Sequence, residues 1–330
     1  MRRAALGLTA LGLLLTPAAA AEPTLWQRAK APGWQVHERA RLRAEQLFDQ
    51  ASDPRADLET LRDLSLGSAA LMELSGEARR DPWQRVLLGR VLLDAQPGRE
   101  REAQQLIESG LPALPDSDFK RQSLFDLGLG AMFSGEMERA ARVFTAALAL
   151  AWKPDDRATI HRNRGKARML SGQLLGAVAD FRAAVELGRG VEVMALSRFG
   201  LGVALERSGD YPQGMQEIAR GVALRLPVPP YPSESVLDLP GLRWIPEYDV
   251  HYFRALGAMS EAEAADESEL SGERYESALE SWEQYIPAAE AQKDRFVPNA
   301  LRHRQRCLDT LARLRRPPAR ASAPRLGRVR

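Results

Sequence analysis

Glycine recurs inside helix-forming stretches at Gly89, Gly128, Gly165, Gly202 and Gly257, with gaps of 39, 37, 37 and 55 residues. A glycine in a helix interior costs about 1 kcal/mol relative to alanine. Five at one phase of a repeat therefore need a packing reason. The simplest is the close approach of a second helix, because a missing side chain lets two axes come nearer than the usual ~8–10 Å. The rest of the unit follows the same period. Twelve residues after Gly128, Gly165 and Gly202 stand Ala140, Ala177 and Gly214; four further on come Phe144, Phe181 and Ile218, then Ala147, Ala184 and Gly221. Small, large, small at i, i+4 and i+7 marks one face of a partner helix. A turn glycine, Gly135, Gly172 or Gly209, precedes each second helix.

Two further copies are looser. Around Gly89 the turn is Pro97-Gly98, followed by Ala103, Ile107 and Gly110. Around Gly257 the spacing predicts a turn lengthened by an acid-rich segment (Glu261, Glu263, Asp266, Glu267, Glu269), then a second helix with Ala278, Trp282 and Tyr285 and Pro287 near its end.

Paired helices with Leu-Gly in the first (Leu127-Gly128, Leu201-Gly202, Leu256-Gly257), a turn glycine, and Ala-x-x-x-Phe-x-x-Ala in the second resemble tetratricopeptide repeats. The likeness is good over 121–226, fair over 82–115 and 250–290, and faint before 80. It implies an all-α fold: a right-handed superhelical α-solenoid of antiparallel helix pairs, here with a Pro-rich insertion and a C-terminal capping helix. It also implies that the first helices line a concave face that binds ligands. Counting outward from the glycine side puts Phe125, Leu129 and Met132 on that face in one unit. Arg162, Lys166 and Met169 follow in the next, Phe199, Val203 and Glu206 in the third, and His251 and Arg254 in the stretched one. Apolar residues mixed with cations suit an extended or helical peptide of acidic character.

The expected organisation is a signal peptide over 1–21, a degenerate helical pair over 22–80, repeats over 81–226, the insertion over 227–249, a stretched repeat with capping helix over 250–316, and a disordered basic tail over 317–330. Arg2 and Arg3, an apolar stretch from Ala4 to Leu15, and Ala18 to Ala21 as small cleavage residues support the leader, cut after Ala20 or Ala21. That leader, with 41 Arg against 5 Lys pointing to a GC-rich bacterial genome, leads us to expect a periplasmic or secreted protein without a transmembrane segment in the mature chain. The insertion interleaves six prolines with Tyr231, Leu237, Trp244 and other apolar residues. Such a loop either packs across the array or touches a partner. Tyr231 and Trp244 are its candidate contact residues.

Charge narrows the function classes. Without Arg2 and Arg3 the chain carries 44 basic and 44 acidic residues, and four further arginines fall in its last fourteen positions. The folded part lacks the basic footprint of a nucleic-acid binder. One Cys, Cys307, excludes a disulfide framework, and four His in separate stretches leave little for a metal site. Asp249 with His251 is too small a set to hold an ion. The nucleophile elbow, the phosphate loop and the paired-His zinc helix are missing from the sequence. The reading is a non-enzymatic periplasmic scaffold that needs no cofactor and binds an envelope protein or peptide. The alternative is a module for a small ligand or peptidoglycan fragment, with the insertion and Trp244 closing a pocket.

Overall fold

Gly135, Gly172 and Gly209 adopt φ of 76°, 85° and 99°, the left-handed region open to glycine. Each closes its helix in the same way. Gly135 N–H donates to Met132 O while Glu136 N–H donates to Ala131 O; the bonds recur 37 residues on as Gly172 to Met169 and Gln173 to Arg168, and again as Gly209 to Glu206 and Asp210 to Leu205. This paired 5→2 and 6→1 pattern satisfies the last helical carbonyls and turns the chain back. The turn glycines of the sequence are helix stops with a repeated geometry.

The structure, a computed structural model, describes residues 67–73, 81–95, 98–224, 236–238, 244–265 and 268–315, together with Gln46. The expected signal peptide, most of the N-terminal pair, Tyr231 and the 317–330 tail lie outside them. Among the described residues there is no strand. The chain divides into two units, Met1–Gln173 and Leu174–Arg330.

Unit one contains α1 (Pro82–Ala95), α2 (Glu100–Gly110), α3 (Asp118–Phe133), α4 (Met137–Leu150) and α5 (Pro154–Leu170). Ser117 caps α3 by accepting from Lys120 N–H, and Pro154 opens α5. The pairs α1–α2 and α3–α4 nest where the sequence places glycine. A Cβ on Gly89 would lie 2.6 Å from Ala103 O and 2.7 Å from Ile107 Cγ1, and one on Gly128 would lie 2.6 Å from the Phe144 ring. Successive first helices also run alongside each other. Arg90 of α1 pairs with Asp126 of α3 at 2.6 Å, Leu93 lies against Gly130, and Arg121 of α3 reaches Asp156 of α5 at 3.2 Å. These partners are separated by 36, 37 and 35 residues, so the helices share one direction and one register. Arg139 of α4 meets Glu108 and Gln104 of α2, tying second helix to second helix. This is a TPR-like stack of helix pairs.

Unit two holds α6 (Leu174–Leu187), α7 (Val191–Arg207), α8 (Tyr211–Val222), α9 (Asp249–Ala264), α10 (Ser268–Ala291) and α11 (Val297–Leu314), with a short 3-10 turn at Val236–Asp238. The α7–α8 pair repeats the nesting: a Cβ on Gly202 would meet Ile218 Cγ1 at 2.5 Å and Gly214 O at 2.6 Å. Gly200 of α7 receives the Phe181 ring of α6.

The stretched copy differs from its expected form in two ways. The acid-rich segment is not a long turn, since Glu261 and Glu263 belong to α9 and Glu269 to α10. Alanine and glutamate favour helix, which carries α9 as far as Ala264 before Ala265 turns extended. As expected, Pro287 falls near the end of α10, which closes at Ala291. Secondly, α9 does not stack on α7 in the repeat's register. Phe199 of α7 lies against Gly257 of α9, while Arg207, eight residues later, pairs with Asp249, eight residues earlier. A helix running beside α7 in the same direction cannot make both contacts. A Cβ on Gly257 would meet nothing nearer than the Phe199 ring at 3.5 Å, so this glycine is not a site of close helix approach.

Candidate functional site

Two groups of side chains stand out. The first comprises the expected face residues of unit one. Phe125 and Leu129 of α3 are half-buried, with the Phe125 ring 5.8 Å from Phe144. Arg162 and Lys166 of α5 are half-buried too. Among the described residues Arg162 has no hydrogen-bond or ion-pair partner, and burial alone brings its guanidinium down to about 10. Met132 and Met169, expected beside them, are 1% and 0% exposed. They belong to the core instead, three residues before the helix-stop glycines.

In unit two the expected face is largely closed. Phe199 is 4% exposed and Val203 fully buried, because the Phe199 ring fills the space left by Gly221 and Gly257. Arg254 is exposed but spends its charge on Asp238 at 2.5 Å. His251 is half-buried, and burial, then the Arg254 charge, lowers its pKa. It is not joined by Asp249, whose carboxylate accepts from Arg207. Among the described residues no group of three His, Cys, Asp or Glu side chains has the makings of a metal site. Trp244 meets the Phe253 ring edge-on at 4.9 Å, and Val236 and Leu237 are buried, so the described parts of the insertion pack on unit two.

Glu206 belongs to the second group, a buried polar network. It is 3% exposed, in the repeat position that Met132 and Met169 occupy. Its Oε1 accepts from Asn299 Nδ2 at 2.9 Å and lies 2.7 Å from His303 Nε2; its Oε2 accepts from the Tyr252 hydroxyl. Burial by itself pushes such a carboxyl up, yet His303, Tyr252 and Asn299 together hold it below the usual carboxylate range. The His303 ring is stacked between Trp282 at 5.7 Å and Tyr211 at 5.2 Å. Next to Glu206, Arg207 pairs with Asp249 at 2.5 Å, both side chains fully enclosed. Its guanidinium lies 4.3 Å from the Tyr252 ring centre and 4.1 Å from that of Phe296. Tyr248 and Tyr285 both donate to Asp294, each at 3.1 Å.

The sequence carried one signal of this network. Glu206 and Arg207 replace Met132-Phe133 and Met169-Leu170 of the other copies, and an acid in a slot that is otherwise sealed must bring partners with it. Those partners lie 46, 93 and 97 residues away, beyond the reach of local pattern.

No known family profile matches the sequence, and no curated protein matches it. Solved structures do. One is the crystal structure of the APC/C hetero-tetramer Cut9-Hcn1, at 12% identity and a TM-score of 0.45, covering 96% of this chain and 64% of that one. The chain thus spans less than two thirds of that structure's length. Another is the TPR2AB-domain:pHSP90-complex of yeast Sti1, at 10% identity and a TM-score of 0.27, covering 83% of this chain and 98% of that one. The helix pairing of each unit, not these likenesses, carries the fold assignment.

Proposed function

We propose that the protein is a non-enzymatic scaffold of the bacterial envelope, periplasmic or secreted, that binds a protein or peptide through the first helices of its repeats. The observation that carries this reading is Arg162. It is a half-buried cation without a counter-charge among the described residues, on a first helix that directly contacts the helix carrying Phe125 and Leu129. A desolvated guanidinium favours an incoming carboxylate, to which it offers a planar fork of donors. Phe125 and Leu129 would take apolar side chains of the same segment, and Lys166 would add a second positive charge. An acidic, partly apolar peptide is the matching ligand class. The location rests on the expected leader. Among the described residues no helix is long and apolar enough to cross a membrane.

The test uses chain 22–330 as bait against envelope extracts, with captured proteins identified by mass spectrometry. Arg162→Ala combined with Lys166→Ala, its helicity checked by circular dichroism, is expected to lower capture about tenfold or more, the range for losing charge-assisted contacts. Undiminished capture by the folded double variant would refute this face as the binding surface.

A further inference from the structure

The grip on α11 is thin in apolar terms. Its buried residues are Ala300, His303, Cys307 and Leu311, of which Leu311 alone is a large aliphatic. Its ion pairs to neighbouring helices, Arg304–Glu283 at 3.9 Å, Arg306–Glu263 at 3.2 Å and Arg315–Glu276 at 2.5 Å, are solvent-exposed. Pairs of that kind contribute little to stability. Beside them, two hydrogen-bonding side chains reach inward from α11, Asn299 and His303, and both end on Glu206 of α7.

We infer that α11 is an acid-released clasp: the Glu206 carboxylate fastens the helix to α7, and protonating that carboxylate frees α11 while the other helices of the unit stay folded. Three groups converge on Glu206, namely the Asn299 amide, the Tyr252 hydroxyl and the His303 ring nitrogen. A carboxylate can accept from all of them, whereas a carboxylic acid brings a hydrogen of its own into a ring of donors. His303 is itself only 7% exposed, so its ring nitrogen has little solvent to turn to once the carboxylate oxygen beside it is protonated.

None of the surrounding groups is placed to compensate. On α7 itself Arg207 is committed to Asp249 of α9. From α8, Tyr211 hydrogen-bonds to Glu263, which Arg306 of α11 also reaches. From α10, Tyr285 donates to Asp294, as does Tyr248 at the start of α9. Trp282 offers only its ring face to His303. The sign follows from the carboxyl lying below its usual range. Its stabilisation is complete above the unfolded value of about 4.3 and is lost as pH falls through the depressed folded value. Local opening at a thinly packed terminal helix is the expected response.

Cys307, the chain's one thiol, is a built-in reporter, fully buried one turn after His303. The experiment labels it with 4,4′-dithiodipyridine in the full chain across an acid series. The rate is normalised to the chain unfolded in guanidinium at each pH, and far-UV circular dichroism is recorded in parallel. Normalised labelling is expected to rise about tenfold or more below the usual carboxylate range while most ellipticity persists. Asn299→Ala and Tyr252→Phe, which keep the carboxylate but remove one donor, are expected to move that step to higher pH. Glu206→Gln is expected to label fast at neutral pH with no acid step. Labelling that stays flat while ellipticity holds, a step that coincides with loss of all ellipticity, or a midpoint that Asn299→Ala does not move would each overturn the clasp.

Discussion

Single positions of this chain are decided by what stands at the same phase in the neighbouring copies. Phe125, Arg162 and Phe199 are equivalent by the 37-residue period, as are Met132, Met169 and Glu206. Where the period places an ion in an otherwise apolar slot, the structure either surrounds it with partners, as at Glu206, or leaves it desolvated, as at Arg162. Cys307 shows the same control by surroundings. Burial pushes its thiol up to about 12, with the Trp282 indole beside it acting the other way. At pH 8 an aromatic disulfide reagent is therefore expected to label Cys307 at least about a hundredfold more slowly than in the unfolded chain, since thiolate fraction and access both fall. Equal rates would mean that the inner face of α11 is open to solvent. Local spacing puts Glu206 on the ligand-binding face because it reports phase, not what arrives from residues 46 to 97 positions further on.

Helices and their stops were the most legible level. The glycine–turn–alanine spacing predicted α3, α4, α7 and α8 and the turns between them because each of these features is local. The left-handed stops need φ near +76° to +99°, and a Cβ there costs roughly 1–2 kcal/mol. Gly135→Ala and Gly209→Ala are each expected to lower stability by about 1 kcal/mol in urea titrations, with Asn at the same position costing less. An alanine with no effect would mean that the turns relax without penalty. The stretched copy was less legible. Of its acid-rich segment, Glu261 and Glu263 fall in α9 and Glu269 in α10, because local acidity does not by itself break a helix, and the turning of α9 relative to α7 depends on Arg207 meeting Asp249 across 42 residues. Arg207→Ala would leave the Asp249 carboxylate enclosed without its partner. The expected loss is about 3–5 kcal/mol of unfolding free energy, against less for replacing both residues by apolar ones of similar volume.

For the molecule as a whole, the repeat makes one claim: glycine recurs because a second helix needs the space. The copies divide. At Gly89, Gly128 and Gly202 an added Cβ would lie 2.5–2.7 Å from a neighbouring helix, whereas at Gly257 its nearest neighbour is a ring at 3.5 Å. Overpacking a close contact costs about 1–3 kcal/mol, while alanine gains about 1 kcal/mol of helix propensity over glycine. The deciding measurement is therefore the urea unfolding free energy of four single variants, Gly89→Ala, Gly128→Ala, Gly202→Ala and Gly257→Ala. The expected result is destabilisation at the first three and no loss, or a small gain, at the fourth. Four equal changes, or stabilisation at Gly128 and Gly202, would contradict a stack of helix pairs nested through glycine.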